Sequence, residues 1–220
     1  MDDIDFADAR HKMVEQQVRP WDVLDQKVLG LIARSVREEY VPPQYRNLAY
    51  VDMNIPLSHG QVTMSPKLEA RLLQELAIRP EDKILEIGTG SGYMTSLLTA
   101  LGRYVHSVEI IPELAKSAQQ NLAAHGVDNA TVEIGDGALG WERHQPYDAI
   151  LITGSVPLLP DSFKHSLAAA GRLIAIVGTA PVMEVELVQR VDDDSWTVTS
   201  LFETALPPLI NAKQPERFVF

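Results

Sequence analysis

Apolar residues recur at helical spacing through the first eighty positions and gather into short runs thereafter. Between Phe6 and Val18, Phe6, Ala9, Met13 and Val14 share one side of a predicted helix. Arg19-Pro20-Trp21-Asp22 breaks it, because Pro20 disfavours helical backbone at Arg19. Asp22 is suited to cap a second helix through about Val36, with Val28, Leu29, Ile32 and Val36 inward. Val41-Pro42-Pro43 stops that helix, and Tyr50 to Pro66 reads as loop or short extended pieces. Pro66 then opens a helix from Lys67 to about Leu76 that buries Leu68, Leu72, Leu73 and Leu76.

Beyond Pro80 strands and helices alternate. Strands are expected at Lys83–Ile87, Tyr104–Ile110, Ala130–Ile134, Tyr147–Thr153 and Gly171–Val177. Helices are expected at Tyr93–Leu101, Pro112–His125 and Asp161–Ala169. This alternation predicts an α/β fold: a Rossmann-like, doubly wound, mostly parallel sheet with helices on both faces. Glu186–Val191 and Thr197–Thr204 flank the turn cluster Asp192-Asp193-Asp194-Ser195, which predicts an antiparallel hairpin at the sheet edge. Residues 1–80 are expected to form a helical cap over the sheet's carboxyl edge, and 81–220 the α/β core of the same domain.

Composition narrows the function classes. Nineteen Lys and Arg face thirty Asp and Glu, a formal net charge of −11, which disfavours a nucleic-acid partner. No apolar run approaches the roughly 18 residues of a membrane span. Met1-Asp2-Asp3-Ile4-Asp5 is acidic and does not resemble a secretory signal. The absence of cysteine excludes disulfides and thiolate zinc sites and fits a cytoplasmic protein. The six histidines show no metal-ligand spacing, so no metal is expected. Nothing in the chain signals an oligomeric state.

The candidate chemistry lies in Leu85-Glu86-Ile87-Gly88-Thr89-Gly90-Ser91-Gly92. Glycines between a strand and a helix allow a sharp turn and close approach of a ligand. The spacing is G-x-G-x-G, and Tyr93 stands where a dinucleotide fold needs a small residue. That favours a nucleoside cofactor without a pyrophosphate, S-adenosylmethionine, over NAD; a ligand-free turn is the plain alternative. Glu109 ends the second strand about twenty residues after Gly88, where a carboxylate accepts from ribose hydroxyls. Glu86 is buried in the strand, where it needs donors or a cation such as the sulfonium or amino group. Asp136, within Gly135-Asp136-Gly137, is suited to accept from an adenine amino group.

Further stretches resemble the protein-L-isoaspartate O-methyltransferase family over about residues 10 to 180. Met13-Val14-Glu15-Gln16-Gln17 is similar to the family's opening helix, and Val36-Arg37-Glu38-Glu39-Tyr40-Val41-Pro42 to its P-R-E-x-F-V-P stretch. Ala49-Tyr50-Val51-Asp52 with Ile55-Pro56-Leu57, and Gly60-Gln61 with Pro66, are similar to further family segments. Leu85–Tyr93, Gly135–Gly137 and Gly171-Arg172-Leu173 with Val177-Gly178 match its core motifs. Leu206-Pro207-Pro208-Leu209 is similar to its strand near the substrate. The resemblance implies a class I methyltransferase using S-adenosylmethionine to methylate the carboxylate of isoaspartyl residues in damaged proteins, and cofactor contacts from Glu86, Gly88, Thr89, Gly90, Ser91, Gly92, Glu109, Asp136 and Gly137. That carboxylate is ionised near neutral pH, so the reaction needs no general base.

The family's catalytic serine falls on Met64 in this chain. A thioether cannot donate the hydrogen bond that would orient the acceptor. Ser65 or Thr63 could stand in after a one-residue shift. Three readings stay open: isoaspartyl repair with a stand-in hydroxyl, methyl transfer to another acceptor, and cofactor binding without repair activity.

Overall fold

The computed structural model describes residues 5–216; the acidic residues 1–4 and the terminal 217–220 lie outside the described residues. The first helix, α1 (Phe6–Met13), is capped by Asp5, whose carboxylate accepts from the Ala7 and Asp8 amides. Helical backbone then continues through a wide turn at Val14–Val18 and a tight one at Arg19–Trp21. Pro20 therefore does not force Arg19 out of helical geometry: Arg19 keeps φ −59° and ψ −46°. The break comes at Asp22, in left-handed backbone. The cap of α2 (Gln26–Ile32) is Asp25, not Asp22: its carboxylate accepts from the Lys27 and Val28 amides. This helix also ends short of the expected Val36. By contrast α3 (Pro66–Leu76) matches expectation, with Leu68, Leu72, Leu73 and Leu76 buried.

Seven strands form one sheet in the order β3-β2-β1-β4-β5-β6-β7. They are β1 (Lys83–Ile87), β2 (Tyr104–Glu109), β3 (Ala130–Ile134), β4 (Tyr147–Val156), β5 (Leu167–Thr179), β6 (Val182–Asp192) and β7 (Ser195–Thr204). The first five are parallel, and β6 and β7 add antiparallel pairs. The expected hairpin is present and longer than its sequence signal at both ends. Strand order reverses between β1 and β4, which opens a crevice at the carboxyl ends of the strands.

The two faces of the sheet are covered unequally. One core joins Ile84, Val105, Leu151 and Ile176 to α4 (Tyr93–Leu101), α5 (Pro112–Ala124), α3, α2 and the end of α1. The other joins Leu85, Val108, Ile150 and Leu173 to Phe163 of α6 (Asp161–His165), with Trp141, Leu209 and Ala212 packed there. The N-terminal segment is thus not simply a lid on the carboxyl edge. Most of it is built into the first core, and the 55–62 loop is what reaches the edge. The expected helix at Asp161–Ala169 stops at His165, because Leu167 already joins β5.

Two buried guanidinium groups fix this arrangement. Arg172 on β5 donates to the carbonyls of Leu76 (2.5 Å), Ala77 (2.6 Å) and Asp148 (3.1 Å) and pairs with Asp82. The carbonyls at the end of α3 are satisfied from the sheet in this way. Arg37 donates to both oxygens of Glu69 (3.0 and 3.2 Å) and to the carbonyls of Ala49 (2.8 Å) and Met64 (2.6 Å). It thereby ties the 37–64 region to α3.

Candidate functional site

The crevice at the strand-order reversal is a cleft of about 690 Å³, open to solvent. Its floor is the turn after β1. Gly88 has φ +97°, and a Cβ there would sit 2.4 Å from Thr153 Oγ1 on β4. At Gly92 (φ +84°) a Cβ would meet Ala118 on α5 at 3.2 Å. One glycine lets the chain cross the neighbouring strand, and the other lets α4 pack against α5.

Glu109 reaches the cleft from the end of β2 and is fixed by the turn it faces. Its Oε2 accepts from the Gly90 amide at 2.9 Å and its Oε1 from the Ile111 amide at 3.0 Å. Each oxygen keeps a lone pair, so the carboxylate is an oriented acceptor for a hydroxyl pair. At the far end of the cleft, Asp136 accepts from the Ala138 amide (3.0 Å) and from the Asn211 side chain (2.8 Å). Gly137 lies beneath it against Ile87 and Val108. The side walls are apolar: Leu57, Leu114 and Leu209 face the cleft.

The loop residues divide among three places. Gly88, Gly90, Glu109, Asp136 and Gly137 line the cleft. Thr89 and Ser91 line an adjoining smaller cavity, about 330 Å³, that shares Leu57, Val62, Gly88, Gly90 and Thr153 with it. Gly92 packs between helices and lines neither. Glu86, which as a buried carboxylate needs donors or a cation and is expected at the cofactor, finds donors instead: its side chain lies on the opposite face of β1 and lines neither cavity. Its Oε2 accepts from Thr95 (2.5 Å) and Ser107 (2.6 Å), and Ser107 in turn is 2.6 Å from the Thr89 hydroxyl. Oε1 is buried without a partner. Burial pushes the Glu86 carboxyl up to about 7, with Glu109 adding to the rise and the two hydroxyls opposing it. Glu86 therefore anchors the Thr89 turn from below.

The acceptor-side candidates also separate. Met64 and Thr63 line the smaller cavity, and Ser65 lines neither cavity but is buried at the start of α3. Thr63 Oγ1 accepts from the Ile55 amide at 3.0 Å and from Arg37 at 3.2 Å. With both acceptor positions filled, the role left to this hydroxyl is donation.

Several lining residues had no local signal in the sequence. Val62 comes from the 55–62 loop and Thr153 from mid-β4. Ile210 arrives with the segment after β7, which is held to β4 by hydrogen bonds between Ser155 and Pro207 (3.0 Å) and Leu209 (2.9 Å), and Asn211 next to it holds Asp136. The histidines, which show no metal-ligand spacing in the sequence, are in one case brought together by the fold. His106 and His144, far apart in sequence, meet beside Glu133.

With this geometry in view, comparison with known proteins decides the family. The profile described as "Protein-L-isoaspartate(D-aspartate) O-methyltransferase (PCMT)" matches residues 8–214. The chain belongs to the protein-L-isoaspartate O-methyltransferase family. Among curated members, the protein-L-isoaspartate O-methyltransferase of Protochlamydia amoebophila is 38% identical, over 90% of this chain and 95% of its own. That of Gloeobacter violaceus is 43% identical, over 76% and 82%. The fold is shared with a solved Plasmodium falciparum structure, described as a putative member of the family in complex with S-adenosyl-L-homocysteine. It aligns with TM-score 0.78 and 20% identity over 91% of this chain and 98% of that one. Within this family the chain has Met64 at the position where the sequence resemblance placed the catalytic serine. Among the described residues no helix is long and apolar enough to cross a membrane.

Proposed function

We propose that this protein is an S-adenosylmethionine-dependent methyltransferase that esterifies the carboxylate of isoaspartyl residues in proteins or peptides. The observation that carries the reading is the amide-fixed Glu109 carboxylate at the mouth of the glycine turn, in a chain of this family. The cleft suits the cofactor. Glu109 would accept from the ribose hydroxyls, Asp136 from the adenine amino group, and the apolar walls would enclose the ring. The cradle at Gly88 has no room for a side chain, which leaves the backbone of Gly88 and Gly90 to face the methionine portion. When bound, the cofactor supplies an electrophilic methyl group on a positively charged sulfur.

The protein's own part is placement. The acceptor carboxylate carries its charge at neutral pH, so no residue has to remove a proton. The smaller cavity adjoins the cleft across Gly88 and Gly90 and is where the acceptor would enter. There Thr63 would donate to one acceptor oxygen and turn the other toward the methyl group. Arg37 would hold Thr63 through its hydroxyl and hold the Met64 carbonyl at 2.6 Å. Close enclosure by Leu57 and Val62 would exclude water, which competes as nucleophile and solvates the carboxylate. The reading carries with it protein repair as the role and the cytoplasm as the location.

The test is transfer of a labelled methyl group to an isoaspartyl peptide, measured beside the same peptide with normal aspartate. Preference for the isoaspartyl form is expected; equal or absent labelling of both defeats the reading. Met64 in the acceptor cavity favours a second reading, a less polar acceptor on the same scaffold. If Met64→Ser creates isoaspartyl activity that the native protein lacks, that second reading stands.

A further inference from the structure

His106 on β2, Glu133 on β3 and His144 in the β3–β4 connection converge outside the proposed methyl-transfer site. One nitrogen of each imidazole and one Glu133 oxygen all lie within 4.8 Å of one another. We propose that these three side chains form a binding site for a divalent transition-metal ion of the zinc class.

The donor set is the first argument. Two neutral imidazoles and one carboxylate suit zinc, nickel or copper, whereas magnesium and calcium prefer oxygen alone. The second is preorganisation. Glu133 is 15% exposed, and Trp141 Nε1 (3.3 Å) and Arg143 (3.2 Å) fix its carboxylate by donation. Arg143 engages Oε2 and Trp141 engages Oε1, so the lone pair of Oε1 that now faces His144 is the one a metal would take. The third is an unmet need. His106 Nδ1 is buried with no hydrogen-bond partner, so this imidazole enters the cluster with a ring nitrogen that no protein group satisfies.

The geometry defines what must move. His144 Nε2 and Glu133 Oε1 are 2.8 Å apart, joined now by a proton. Ligands around an ion with bonds of about 2.0–2.1 Å stand roughly 3 Å apart, so replacing that proton by a metal changes the spacing little. The two imidazoles, however, stack at 4.0 Å with 13° between planes, and no ion can lie in both planes at once. His144 has to turn. Its side chain is 37% exposed on a connection, while His106 and Glu133 stand on paired strands. Three protein ligands leave a further position for water. A bound ion would pin the 135–146 connection, which begins with Gly135, Asp136 and Gly137 at the cleft, to the sheet.

The site is tested without reference to methyl transfer. Full-length, tag-free protein is stripped with chelator and titrated with zinc chloride by calorimetry, alongside His144→Ala and Glu133→Gln. Circular dichroism checks that each variant is folded. The expected result is one zinc per chain, at least tenfold weaker in each variant, with a zinc-dependent rise in melting temperature for the native protein alone. Absence of saturable binding, or equal binding by native protein and both variants, overturns the proposal. If one variant fails to fold, the other decides.

Discussion

Replacing Glu86 by Gln tests how the cofactor turn is supported. The carboxyl is fully buried and pushed from the ordinary 4.5 up to about 7. Above neutral pH the native fold therefore carries a charge inside the protein, opposed by only two hydroxyl donors. A tenfold change in proton affinity is worth about 1.4 kcal/mol, so the whole rise corresponds to roughly 3 kcal/mol. The folded state holds its proton more tightly than the unfolded chain. The stabilisation from a neutral Glu86 is thus complete below about pH 4.5, is lost as pH rises through about 7, and is absent above. Gln has the shape of the neutral acid and keeps an oxygen for Thr95 and Ser107. It also leaves a buried group at the Oε1 position, but that cost is independent of pH and cancels in the comparison. Urea unfolding of both proteins, cofactor-free, between pH 4.5 and 8 reads the effect. The variant should gain up to roughly 3 kcal/mol on the native protein across pH 4.5 to 7, with no further gain beyond. Parallel profiles would refute the reasoning, since they would mean that Glu86 titrates alike folded and unfolded.

Other outcomes follow from the same contacts. Glu109→Ala removes the oriented acceptor and should weaken adenosylhomocysteine binding about ten- to a hundredfold by calorimetry, the size of a lost hydrogen bond to a charged group; unchanged affinity would remove Glu109 from the cofactor site. Thr63→Val keeps the shape but loses the donor and the oxygen that accepts from Ile55 and Arg37, and should lower kcat on isoaspartyl peptide by at least a similar ten- to hundredfold, with a much smaller change in adenosylhomocysteine affinity. Arg37→Met leaves the buried Glu69 carboxyl without its partner, so that it must take up a proton or stay as an unpaired charge, and should cost about 3–5 kcal/mol in urea unfolding, whereas converting Glu69 to Gln in addition should recover part of that loss. Gly88→Ala forces a Cβ against Thr153 at a backbone angle that alanine resists, so it should lower both the melting temperature and cofactor affinity.

Much of the architecture was legible because it rests on local rules. The G-x-G-x-G turn, the proline at the start of α3 and the aspartate-rich hairpin turn each act within a few residues, so position in the chain suffices to read them. The start of α2 differed through competition between two candidate caps. Asp22 and Asp25 are both good caps, and the left-handed backbone at Asp22 leaves Asp25 to cap α2.

What the sequence determined alone was the order of elements, the glycine turn and a carboxylate at the end of β2, because strand and helix periodicity and turn chemistry are properties of neighbouring residues. Tertiary structure decided which face each strand side chain took. Glu86 and Glu109 lie on one chain trace of strand ends, yet β1 points Glu86 into the helical core while the Gly90 and Ile111 amides hold Glu109 at the cleft. It also decided that Thr63 and not Ser65 lines the smaller cavity, and that His106, Glu133 and His144 share one place. Such meetings depend on strand register and on where a connection returns, and those follow from packing across the whole sheet rather than from any short stretch of residues.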